Sequence, residues 1–143
     1  MPVLGRGRWG GAYCNDTRIQ VRPTPRLADA IVTTGDYAVG EQAETKNKTR
    51  LAVTSQLAER AQRVRMLGSA AIDLARLAHG RTDAAIIFGN KPWDTAAGVV
   101  LVREAGGVVV DADGRHHIRR SAATIAASAE LLDQVLEMIS HAA

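Results

Sequence analysis

The 143-residue sequence predicts an α/β domain, a mixed sheet packed with helices. Two observations carry that prediction. Short apolar or β-branched runs alternate with stretches whose apolar residues recur at helical spacing, and glycines stand where one kind of element gives way to the next. A 46% hydrophobic composition supplies one real core at this length. No internal repeat, low-complexity tract or linker divides residues 1–143, so a single domain is expected.

Residues 1–11 include Gly5, Gly7, Gly10 and Gly11 and little periodic pattern, poor material for an independent folding start. Residues 12–21 read as one strand ending in Ile19 and Val21, and Pro23 and Pro25 then deny ladder donors. Ile31-Val32-Thr33-Thr34, stopped by Gly35, reads as a short buried strand over 29–34. Val53, Leu57 and Ala61 recur every four residues among charges, which predicts a helix near 46–62. Residues 64–67 form the next strand. A helix follows with Ser69 as N-cap, Ile72, Ala75, Leu77 and Ala78 on its apolar face, and Gly80 at its end. Residues 84–88 read as a buried strand and 93–104 as a largely apolar helix closed by Gly106-Gly107. Strands at 108–110 and 124–127 flank the Asp113-Gly114 turn, and Leu132, Val135, Leu136 and Ile139 stripe a terminal helix.

Charge and composition exclude several classes. Eighteen Lys plus Arg against fifteen Asp plus Glu leave a formal charge of only +3, and aromatics are 3%, too few to interleave a basic stripe with stacking rings. Nucleic acid is therefore not expected as a partner. Apolar runs such as 96–102 fall far short of the roughly 20 residues a membrane span needs, and the N-terminus lacks the apolar core of a secretory signal. Cys14 is the only cysteine, so no internal disulfide or Cys-based zinc cluster can form. A soluble, cytoplasmic protein with no membrane partner is the expectation.

The chemistry gathers in two segments. In Lys91-Pro92-Trp93-Asp94-Thr95-Ala96-Ala97-Gly98, Pro92 presets the chain for a helix, so Asp94 falls at its first turn, where free N–H groups favour a carboxylate. A hard cation such as Mg²⁺ takes oxygen ligands, commonly one or two carboxylates with water and substrate phosphate. The residues alone leave Asp94 either a metal ligand or a helix cap. Ala96, Ala97 and Gly98 make room for a close-packed neighbour. In Arg65-Met66-Leu67-Gly68-Ser69-Ala70-Ala71-Ile72-Asp73, a glycine at a strand-to-helix turn permits close backbone approach, and the helix N-terminus offers donors to an anionic or polyhydroxyl ligand. Gly68, Ser69 and Ala70 are candidate substrate contacts; a capping serine is the plainer reading of Ser69. Asp73 is expected to make a structural hydrogen bond. His116 and His117 follow a glycine turn and are expected to be solvated, without further ligands at metal-binding spacing.

Trp93-Asp94-x-Ala96-Ala97-Gly98, followed by Glu104-Ala105-Gly106-Gly107, resembles the second signature motif of the inositol monophosphatase family. Arg65-x-x-Gly68-Ser69-Ala70-Ala71, about 25 residues upstream, resembles that family's Arg-x-x-Gly-Ser/Thr-Ala-Ala segment. Gly7-Arg8-Trp9-Gly10-Gly11-Ala12-Tyr13-Cys14-Asn15 is similar to its Gly-x-Gly-Ala-x-x-Asn turn, so the likeness spans nearly the whole chain.

The resemblance implies the C-terminal domain of an αβαβα sandwich and a Mg²⁺-dependent phosphomonoesterase acting on a small phosphorylated metabolite, with Li⁺ inhibition possible. Asp94 would be its one metal ligand here, and no residue is assigned as catalytic. Family members carry a Gly-Glu and an Asp-Pro-x-Asp-Gly-Thr segment ahead of the matched region, and neither is present. The chain alone is therefore expected to be inactive, with a separate N-terminal half or a homodimer partner as its complement. The competing expectation is a non-catalytic interaction domain with an exposed apolar surface. Ile87 stands where inositol-preferring members place a substrate-contacting Glu, so the substrate is left open.

Overall fold

A computed structural model describes residues 3–6, 10–89 and 91–142. The chain runs β1 (Leu4–Arg6), β2 (Ala12–Cys14), β3 (Thr17–Ile19), a 3₁₀ turn (Leu27–Asp29), β4 (Ile31–Thr34), α1 (Ala43–Arg60), β5 (Arg63–Met66), α2 (Ala70–Ala78), β6 (Ala84–Phe88), α3 (Pro92–Glu104), β7 (Val108–Val110), β8 (Ala123–Ala127) and α4 (Ala129–Ala142). Five strands form one sheet in the order β5-β4-β6-β8-β7. Strand β4 is parallel to both β5 and β6, whereas β8 is antiparallel to β6 and β7. The sheet is mixed, as expected.

Strand β6 shows why the molecule is layered. Its residues alternate between two cores: Ala84 and Ile86 join Val32, Val53, Leu57, Leu131, Val135 and Met138 beneath α1 and α4, while Ala85 and Ile87 join Leu74, Leu77, Val99 and Val102 beneath α2 and α3. A strand buried on both faces reads as a continuous apolar run, which is what Ala84–Phe88 supplies. The small antiparallel sheet β1-β2-β3 lays Ala12 and Ile19 into the α2/α3 core, so it forms a further layer outside those helices.

Several expectations change. Residues 12–21 are a hairpin rather than one strand, because Asn15 and Asp16 take positive φ, 47° and 67°, at the turn between β2 and β3. The glycine-rich start contributes strand β1, paired with β2 from Leu4 to Arg6, while Gly7, Arg8 and Trp9 of the expected turn motif lie outside the described residues. Helix α1 begins at Ala43, after a turn at Gly40 with φ +99°, and ends at Arg60, since Ala61 is already extended toward β5. The buried stripe of α4 is Leu131, Val135, Met138 and Ile139, with Leu132 and Leu136 on its flank. Among the described residues no helix is long and apolar enough to cross a membrane.

This topology positions the site. The chain leaves β4 through α1 to reach β5 on one side, then returns through α2 on the opposite face to β6 on the other side. The carboxyl end of β4 is thus a switch point, where crevices open in sheets of this kind.

Candidate active site at the helix N-termini

Helix α2 starts where β5 ends. Gly68 takes φ +74°, a conformation that side chains resist, and a Cβ there would lie 3.6 Å from an Asp36 carboxylate oxygen. Ser69 caps the helix, its Oγ accepting a hydrogen bond from the Ile72 N–H at 3.3 Å. The cap uses the Ser69 oxygen as an acceptor and leaves its O–H to donate, so the donors this turn can offer a ligand are that hydroxyl and the first-turn amides without an intrahelical acceptor.

Helix α3 begins with Lys91 as N-cap and Pro92 in the first turn, and no side chain caps it. Asp94 is not the cap: its own N–H donates to the Lys91 carbonyl at 2.9 Å, and its carboxylate accepts no hydrogen bond among the described residues. The side chain is exposed and lines a cavity of about 380 Å³ together with Gly68, Ser69, Ala70, Ala71 and Trp93. The two segments singled out in the sequence therefore face one space. Trp93 is 76% exposed, and the Lys91 ammonium lies 5.4 Å from its ring centre.

The two helices meet closely because of Gly98, whose added Cβ would come within 2.6 Å of the Leu74 side chain. Only this member of the small-residue run serves that purpose. Ala96 and Ala97, expected to receive a close-packed neighbour, are exposed.

Beneath the α2 N-terminus lies a feature the sequence reading did not foresee. Asp73 is 1% exposed, and its Oδ1 has no partner among the described residues. Burial pushes its carboxyl up to about 6; the nearby charge of Asp36 adds to the rise, and a hydrogen bond with Thr33 opposes it. The expected structural role is thus only weakly served, since Thr33 is the one neighbour that favours the charged carboxylate. Gly35-Asp36 directly after a parallel strand was the available signal.

Ile87 is 5% exposed within the α2/α3 core and does not line the cavity of Gly68 and Asp94. The histidines divide: His116 is exposed, with Nε2 3.3 Å from the Arg103 guanidinium, whereas His117 is buried, with Nε2 2.9 Å from Thr124 Oγ1. Burial and the Arg103 charge lower the His117 pKa, which keeps the ring neutral.

Asp94 has the chemistry of one ligand to a hard divalent cation. Among the described residues no three His, Cys, Asp or Glu side chains come together to hold a metal, so they do not complete such a site.

The family model for the inositol monophosphatase family matches residues 4–142. A probable inositol 1-monophosphatase, ImpA, of Mycobacterium tuberculosis is 39% identical over 122 residues, covering 82% of this chain and 45% of the relative. A putative Nus factor, SuhB, of Neisseria meningitidis is 36% identical over 138 residues, covering 96% of this chain and 51% of the relative. The solved inositol monophosphatase from Anabaena superposes with a TM-score of 0.87 at 29% identity, over 98% of this chain and 54% of that one. The chain thus spans about half the length of the relatives it matches.

Proposed function

The chain belongs to the inositol monophosphatase family, and from that premise we propose that it supplies the substrate turn and one metal carboxylate of a Mg²⁺-dependent phosphomonoesterase acting on a small phosphorylated metabolite. The observation that carries this reading is the single cavity onto which Gly68–Ala71 and Asp94 both open.

In that role the amide donors of Gly68, Ser69 and Ala70 bind and orient the phosphate or hydroxyl groups of the substrate, helped by the positive end of α2. Asp94, on the first turn of a helix locked to α2 through Gly98, presents a carboxylate whose position does not depend on a flexible loop. Bound Mg²⁺ would supply charge stabilisation to the transferring phosphoryl group. The remaining cation ligands must come from outside the described residues, which supports the expectation that the 143-residue chain alone turns over little or no substrate. Cys14 is a free thiol, which suits a reducing cytoplasm.

The test is Mg²⁺-dependent phosphate release from inositol 1-phosphate and a panel of small phosphate esters. It is run with the chain alone and with the chain supplemented by the segment of a relative that carries the Gly-Glu and Asp-Pro-x-Asp-Gly-Thr motifs. Activity is expected only in the supplemented mixture, and Asp94→Asn should lower it at least about 100-fold. Supplemented activity indifferent to Asp94→Asn would overturn the reading. A second reading, a non-catalytic interaction domain, is favoured by the absence of an acidic cluster among the described residues, and it predicts no turnover in either mixture.

A further inference from the structure

The carboxyl ends of β4 and β6 meet helix α1 at a second, much smaller cavity of about 10 Å³, room for one occupant the size of a water or a halide ion. Val53 and Ile86, both 1% exposed, are among its apolar walls. Its polar walls are Thr34, Tyr37, Arg50 and Thr54, and no carboxylate lines it.

The hydrogen bonds of these four residues show what is left over. The Tyr37 hydroxyl donates to Thr54 Oγ1 at 2.9 Å, and Thr54 donates in turn to the Arg50 carbonyl at 2.9 Å, so both of those protons are committed. Thr34 is 5% exposed, yet its Oγ1 has no partner among the described residues. Arg50 gives one N–H to the Phe88 carbonyl at 3.3 Å, and no carboxylate pairs with it among the described residues. The uncommitted donors on the wall are therefore a buried hydroxyl and a half-buried guanidinium. A half-buried charge is costly without a counter-charge. A water could accept from both groups but would leave that charge uncompensated, whereas an anion accepts from both and compensates it.

We propose that this cavity is an anion site taking a single monatomic anion such as chloride, held by the Arg50 guanidinium and the Thr34 hydroxyl. Its size excludes a whole phosphate group, which separates it from the cavity of Gly68 and Asp94. The consequence reaches the neighbouring loop. Arg50 stands over the point where the chain leaves β6: Gly89 takes φ +65°, and a Cβ there would lie 3.1 Å from Arg50 Nη2. An anion that fixes the guanidinium also fixes the root of the connection into α3, whose first turn carries Asp94.

The experiment follows thermal unfolding of the chain as chloride replaces gluconate at constant ionic strength, gluconate being too large to enter, and locates the ion by bromide anomalous scattering in crystals of the chain. A saturable rise of about 3 °C or more is expected at ten times the half-saturating chloride concentration, with a bromide peak between Arg50 and Thr34. Arg50→Gln should raise the half-saturating concentration about tenfold or more, and Thr34→Val, which removes the hydroxyl at nearly constant volume, about threefold or more. Should Arg50→Gln fail to fold, Thr34→Val decides. No chloride-specific rise, a rise that both variants keep unchanged, or no bromide peak in the cavity would each overturn the proposal. A bromide peak without a rise would mark an adventitious ion only and overturn it equally. Neither Arg50 nor Thr34 lines the cavity of Gly68 and Asp94, so failure here leaves the phosphatase reading untouched.

Discussion

Asp73 and Asp83 are both buried carboxylates, and burial alone pushes both upward, yet their neighbours send them in opposite directions. Asp83 accepts from the Arg22 guanidinium at 2.7 and 2.9 Å, from the Ile31 N–H at 2.7 Å and from the Thr24 hydroxyl, and these together hold it below the ordinary carboxylate range. Its contribution to stability is present above its unfolded value and is lost as pH falls through its lowered folded value. Asp73 has Asp36 nearby and an unpartnered oxygen, so its contribution is full below the ordinary value of 3.8 and is lost as pH rises through about 6. Asp73→Asn should therefore flatten the fall in melting temperature between those two pH values, and Asp83→Asn should remove part of the loss below about pH 4. A pH series of thermal melts checks both; an unaltered slope in Asp73→Asn would show that burial and Asp36 do not raise this carboxyl. At this scale the sequence made Asp94 and Gly68 legible, because each sits at a helix start marked by proline or glycine. Asp36 was marked only by its place directly after a strand, because its nearness to Gly68 arises only when β4 and β5 pair.

Elements bounded by glycine, proline or a capping serine were readable from sequence to within a residue or two, as α2, β6 and α3 show. The small sheet was misread because its strands are three residues long and the Asn15-Asp16 turn lacks glycine. The packing of α2 on α3 was half legible: small residues announced a close contact, but only the fold selects Gly98 from the run. Alanine in place of a mid-helix glycine normally stabilises by about 1 kcal/mol. At position 98 the new methyl would lie 2.6 Å from Leu74, which is fully buried, and overpacking of that kind costs about 1–3 kcal/mol. Gly98→Ala is therefore expected to destabilise, and the effect should shrink or change sign in a Leu74→Ala background. Urea unfolding of the four proteins measures the coupling; strict additivity would mean that the helices shift apart freely and that Asp94 is not rigidly tied to the α2 turn.

The whole molecule turns on one sheet that serves two cores. Strand β6 sends Ala84 and Ile86 into the layer under α1 and α4 and Ala85 and Ile87 into the layer under α2 and α3, so neither layer can lose its packing without exposing the same strand. A single cooperative unit is the physical consequence. Leu77 and Leu131 are fully buried on opposite faces, and truncating either to alanine should cost about 2–5 kcal/mol. Because the two side chains belong to separate clusters, their costs should add to within about 0.5 kcal/mol. Each variant should move one common transition, with far-UV circular dichroism and tryptophan fluorescence giving the same midpoint. Two resolved transitions, with Leu131→Ala shifting only one and Leu77→Ala only the other, would show that the layers unfold separately. In that case the layer bearing the cavity of Gly68 and Asp94 would be held by its own α2/α3 core rather than by the far side of the sheet.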